Sequence, residues 1–141
     1  MSHSRQDAEL VAFLNGDSVG PALLRELAET VAAGRTLDTE QLAGLNALLA
    51  RVPVEARLEH GGHGRYVLEL RPVGGTQDEL AARELAGSFG SLLRRAPNRL
   101  KRCEECGRFF VDATRSRTRR FDSRACGNRA RVRAFRARPN R

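Results

Sequence analysis

The sequence predicts an α+β protein: a mainly helical N-terminal domain with one β-hairpin over residues 1–97, then a small cysteine-centred module over residues 98–141. Three observations carry this. Leucines recur at helical spacing before residue 50 and again between Gln77 and Ala96. Between these stretches, apolar and polar residues alternate on either side of a glycine-rich break. All three cysteines, Cys103, Cys106 and Cys126, fall after residue 100.

The first helix is expected from about Asp7 to Asn15, with Gly16-Asp17-Ser18 as its breaker. Pro21 fits the first turn of a second helix carrying Leu23, Leu24, Leu27 and Val31 and ending at Gly34. Asp38 and Gln41, three residues apart, form a capping-box pattern that opens a third helix through Leu42, Leu45, Leu48 and Leu49. The period then drops to two. Val54, Ala56 and Leu58, then Tyr66, Leu68 and Leu70, flank His60-Gly61-Gly62-His63-Gly64 and read as a hairpin. His60 and His63 could ligate a metal at that spacing, but a solvated turn is the plainer reading. From Gln77 the helical period returns, placing Leu85, Phe89, Leu92, Leu93 and Ala96 on one side, and Pro97 stops it.

Beyond Asn98 the texture changes. Cys103-Glu104-Glu105-Cys106-Gly107 has the Cys-x2-Cys-Gly spacing of a zinc knuckle, in which two thiolates reach one tetrahedral ion and glycine allows positive φ. Arg108 to Asp112 reads as a strand, Ala113 to Arg117 as a turn, and Arg119-Arg120-Phe121 as a second strand. A helix is expected from Arg124 toward Pro139, with Cys126 in its first turn. Knuckle, hairpin and ligand-bearing helix make a treble-clef-like zinc finger with Zn2+ as its ion. An odd, clustered cysteine set argues against a disulfide framework, and the βαβ setting of a redox Cys-x2-Cys pair is absent.

Charge divides the chain at the same place. Residues 1–98 hold 10 arginines against 13 acidic residues; residues 99–141 hold 15 cations against 4. A basic segment of this density seeks a polyanion, because phosphate contacts release condensed counterions. All the cations but Lys101 are arginine, whose planar fork suits phosphate oxygens and guanine edges. No run approaches the ~20 apolar residues of a membrane span. The polar N-terminus shows no signal core, so a soluble cytoplasmic protein without a membrane partner is expected.

The run Cys103–Cys106, Arg119-Arg120-Phe121, Cys126-Gly127-Asn128-Arg129, with Phe110, Asp112 and Arg115 between, resembles the CGNR zinc-finger family over roughly residues 99–138. Proteins of that family commonly carry a preceding helical domain called ABATE, described as a stress-induced transcription regulator. Residues 8–96 are similar to it in size and order, including Phe13-Leu14-Asn15 and Leu45 to Val54. The resemblance implies four cysteine ligands, the third directly after the aromatic that follows the arginine pair. Here Phe121 is followed by Asp122, one residue closer to Cys126. Three outcomes stay open: Asp122 as an oxygen ligand beside Cys103, Cys106 and Cys126, water or another group in its place, or no stable metal.

The expected function is a zinc-containing, DNA-binding transcription regulator acting on double-stranded DNA. Arg119, Arg120, Asn128, Arg129, Arg131, Arg133, Arg136 and Arg138 are the candidate nucleic-acid contacts. Arg129, Arg133 and Arg136 share one helical arc, Arg131 and Arg138 another, with Val132 and Phe135 between them expected to pack on Phe109 or Phe110. Asn128 suits an adenine edge, or equally a hydrogen bond at the helix start, and Arg129 suits the thiolates' charge. The N-terminal domain is expected to sense a ligand, form a homodimer or bind a protein partner. A protein–protein adaptor and an RNA binder are the rival readings. No general base accompanies the cysteines in a recognisable motif, so no enzyme is expected.

Overall fold

The computed structural model describes residues 3–139; residues 1–2 and 140–141, the outer ends of the two expected domains, lie outside it. Five helices and two small antiparallel sheets follow in the order α1 (His3–Leu14), α2 (Ala22–Ala32), α3 (Thr39–Ala50), β1 (Val54–Gly62), β2 (Arg65–Pro72), α4 (Gln77–Arg95), β3 (Leu100–Arg102), β4 (Phe109–Val111) and α5 (Arg124–Arg136). The α+β class holds. Among the described residues, no helix is long and apolar enough to cross a membrane.

Local chemistry sets the helix ends. Asp38 accepts from the Gln41 amide at 2.8 Å while Gln41 accepts from the Asp38 amide at 3.0 Å, so the expected capping box opens α3. A second box, Thr76 with Glu79, opens α4. Helix α1 starts four residues before Asp7, and α2 ends just before Gly34, which takes φ +76°. Pro97–Arg99 forms a short 3-10 turn after α4.

Helix α4 is the spine. Its Ala86, Phe89 and Leu92 meet Leu10, Phe13 and Leu14 of α1, Leu24, Leu27 and Val31 of α2, and Leu45 and Leu48 of α3 in one core. Gly20 lies under that core because a Cβ there would fall 2.5 Å from the Phe13 ring. The core does not stop at Pro97. Leu100 and Phe109 are buried in it, so the β3–β4 hairpin rests on α1 and α2. Asn15 reinforces the seam like an added strand residue: its amide donates to the Phe109 carbonyl (3.0 Å) and its carbonyl accepts from the Phe109 amide (2.7 Å). Arg102 adds a pair to Glu29 of α2, and Arg108 one to Asp17 at 3.0 Å.

Two expectations are corrected. The partner of β4 is β3, with Leu100 opposite Val111 and Arg102 opposite Phe109; residues 119–121 form no strand. The reason is the buried carboxylate of Asp112. It accepts from Lys101 Nζ (2.8 Å), the Thr114 amide (2.9 Å) and hydroxyl (2.6 Å), and the Arg119 amide (3.0 Å). Lys101 completes the knot through the carbonyls of Arg117 (2.6 Å) and Arg119 (3.1 Å). Backbone groups that would otherwise pair in a ladder are thus bound to one ion pair. The second correction concerns α5. Val132 and Phe135 do not pack on the hairpin; both are exposed, Phe135 to 73%. Phe109 has gone into the helical core and Phe110 toward the cysteines.

Asn15→Ala should strand the Phe109 amide and carbonyl at a part-buried seam, costing about 1–3 kcal/mol. Chemical denaturation of the full chain measures this; an unchanged midpoint would show that the pair holds nothing. Asp112→Asn should cost about 3–5 kcal/mol by leaving Lys101 unpaired. The Asp112 carboxyl is held far below the usual carboxylate range: its ion pair and hydrogen bonds outweigh the desolvation that opposes its charge. A depressed folded-state pKa means that this stabilisation is present above pH ~4 and is lost as acid drives the pH down through the folded value. The variant should therefore show a flatter acid limb than wild type in thermal melts below pH 4.

Candidate metal centre

Four side chains converge where the knuckle meets α5. One ligand atom each from Cys103, Cys106, Asp122 and Cys126 lies within 4.8 Å of the others. Cys103 follows β3, and Cys106 closes the turn, where the Gly107 amide donates to the Cys103 carbonyl at 2.9 Å with Gly107 at φ +75°. Ser123 caps α5 by accepting from the Cys126 amide at 3.2 Å, which sets Cys126 in the first turn. The Glu104 amide donates to the Arg120 carbonyl (3.1 Å) and Arg119 binds the carbonyls of Phe121 and Asp122, fixing the segment that presents Asp122. Phe110 and Phe121 close the apolar side around Cys103 and Cys126.

The donor set fits a tetrahedral ion. Zinc distances of roughly 2.3 Å to sulfur and 2.0 Å to oxygen put sulfur about 3.8 Å from sulfur and about 3.5 Å from oxygen. The Cys106 sulfur lies 3.4 Å from Asp122 Oδ2. Asp122 Oδ1 is buried and has no hydrogen-bond partner among the described residues, a cost that a cation would remove. Asp122 thus stands where a fourth ligand could sit, despite the one-residue shortfall before Cys126.

Electrostatics agree. The Cys126 thiol above all, against desolvation, and then Cys106, Cys103 and Ser123 hold the Asp122 carboxyl below its ordinary range. Cys106 is pushed up to about 11: the Arg108 backbone favours its thiolate, but desolvation and its neighbours Cys103, Cys126 and Asp122 outweigh that. Burial opposes the Cys103 thiolate, yet amides at Cys106, Asp122 and Glu105 bring its pKa down. So many anionic donors in contact cannot all ionise without a cation among them.

The expected nucleic-acid contacts separate into two groups. Arg119 is spent on backbone carbonyls and on the Phe110 face at 5.3 Å, and Arg120 on Glu104. Arg129 donates to the Cys126 sulfur at 2.9 Å, and Arg133 pairs with the largely buried Glu105. All four make contacts within the finger, although Arg120, Arg129 and Arg133 stay more than half exposed. Arg131, Arg136, Arg138 and Asn128 are exposed, and Arg124 joins them; none of these arginines forms an ion pair among the described residues. Sequence reasoning missed Glu105, Lys101 and the connecting role of Asp112; the sole lysine of the chain, inside an arginine-rich segment, was the available signal. His60 lies near the end of β1 and His63 in the β1–β2 turn; both are exposed and neither is in the cysteine cluster.

Metal affinity should rise with pH, because the ion displaces protons from its ligands. With Cys106 protonated across the neutral range, the rise should be at least about tenfold per pH unit between pH 6.5 and 8.5 in a chelator competition. Asp122→Ala should weaken retention more than Arg129→Ala, which acts from outside the ligand shell and should cost about 10-fold. Equal retention by wild type and Asp122→Ala would show the carboxylate to be a bystander.

No curated protein is significantly similar to this chain. Residues 99–139, the stretch from the end of the 3-10 turn through β3, the four-ligand cluster and α5, match the CGNR zinc finger family.

Proposed function

We propose that this chain is a zinc-dependent, DNA-binding transcription regulator whose helix α5 lies in the major groove. Zinc is the ion that suits three thiolates and one carboxylate. Four protein ligands complete its tetrahedron and leave no position for a reacting water, which supports a structural and not a catalytic site. Its chemistry here is cohesion: it ties the knuckle to the first turn of α5.

The observation that carries the reading is the outer ridge of α5. Arg124, Asn128, Arg131 and Phe135 recur at steps of four, three and four, which aligns them on one face, and Arg138 continues the row past the helix end. All are exposed. Thirteen helical residues span about 20 Å, and the major groove, about 12 Å wide, admits one helix. Arginines at each end suit the phosphates, Asn128 suits an adenine edge, and Phe135 suits a thymine methyl. Inward, Arg129 and Arg133 bind the knuckle, so the ridge is held rigidly by the metal centre. The helical residues before the finger, ABATE-like in order, are assigned to sensing or partner contacts.

A salt titration of the full chain on duplex DNA tests this. With about four phosphate contacts, log K should fall against log salt with a slope near −3.6. Arg124→Ala and Arg131→Ala should each flatten it by about 0.9, whereas Arg120→Ala should not. Asn128→Ala should relax preference at one base pair by about 1–3 kcal/mol. The full chain is required, because a fragment starting at residue 99 would bare Leu100 and Phe109. Salt-independent or absent duplex binding would transfer the exposed Phe135 and Val132 to a protein partner, as in an adaptor.

A further inference from the structure

The β1–β2 hairpin has a face left largely uncovered by the described residues. Its register sets Ala56 opposite Leu70, Leu58 opposite Leu68 and His60 opposite Tyr66 on one side. Glu55 opposite Arg71 and Arg57 opposite Glu69 fall on the other. The charged side is already satisfied, by Arg57 with Glu55 and by Arg71 with both Glu59 and Glu69. The apolar side is not: Leu58 is 68% exposed, Leu68 67%, Tyr66 64% and Leu70 59%. Among the described residues, neither strand makes an extended contact with a helix. A His63-Gly64 turn with φ +50° and +72° shapes the tip, a primed geometry matched to strand twist.

We propose that this face pairs with the same face of a second copy, making the protein a two-fold dimer joined hairpin to hairpin. Three arguments choose that occupant. The face carries no formal charge and holds a ladder of aliphatic pairs, so it is complementary to itself, as a two-fold interface requires. Val54, Ala56, Leu58, Tyr66, Leu68 and Leu70 together expose roughly 600 Å² per copy, and two copies would bury about 1,200 Å², the lower bound of stable interfaces. An isolated two-stranded hairpin is marginal in water, so its cover has to be present wherever the chain is. A second copy always is.

Sedimentation equilibrium of the full, metal-loaded chain tests the proposal. Wild type should behave as a dimer at about 10–100 µM, and the double variant Leu58→Glu, Leu68→Glu as a monomer that keeps the helical far-UV signal. Glu55→Gln, on the charged side, should remain dimeric. Hydrogen exchange supplies a reading without any variant: amides of residues 54–72 should gain protection as wild-type concentration rises. A wild-type monomer across that range, or a dimer that survives both glutamates, overturns the proposal. Concentration-independent exchange in the hairpin does the same. A monomeric wild type would leave the face to a different protein.

Discussion

Two consecutive phenylalanines on a three-residue strand tie this molecule together. Alternation along β4 sends Phe109 to one side and Phe110 to the other. Phe109 is buried among the leucines of α1, α2 and α4, while Phe110 is buried with Cys103 and Cys126. The helical core and the metal centre therefore share one backbone segment. Asn15 clasps that segment from α1 through both polar groups of Phe109. Disturbing either side of β4 has consequences for the other, and the ligand cluster inherits the rigidity of a helical core larger than any finger could build alone.

The finger is organised by two cationic functions that its composition alone does not distinguish. Some cations hold the fold: Lys101 gathers Asp112 and two carbonyls, Arg119 fixes the strandless segment before Asp122, and Arg129 donates to the Cys126 sulfur. Others, Arg124, Arg131, Arg136 and Arg138, stand free of ion pairs among the described residues. The first set costs the protein part of its positive field and in return makes the second set geometrically definite. A basic tail without that internal pairing would be a flexible polycation; here the arginines face outward from a helix anchored at its first turn.

The two outward surfaces sit on different elements and suit different chemistries. The α5 ridge is cationic with one aromatic, whereas the β1–β2 face is mainly apolar and carries no formal charge. Their separation allows the two proposals to be tested independently by substitution.

Much of this was legible in the sequence because it depends on near neighbours. Asp38 with Gln41, the Gly107 turn, the period-2 run from Val54 to Leu70 and the Cys103–Cys106 spacing all report interactions a few residues long, and each formed where the pattern placed it. The convergence of Cys126 on the knuckle was also expected, since a ligand set constrains its own members, whereas Asp122 was one of three outcomes left open. What tertiary structure alone decided was which apolar side chain meets which. Phe109 and Val132 look equally suited to a core in sequence, but only Phe109 is buried in the helical core. The partner of β4 was likewise undecidable locally: β3 wins because a buried Asp112 satisfies the backbone near Arg119 with side-chain groups. Division of the arginines into structural and outward sets depended on carboxylates brought near by folding, as Glu105 is to Arg133. Short-range patterns fix turns, caps and ligand spacing; long-range burial decides pairings, because its driving force is non-directional and leaves the choice of partner to the whole fold.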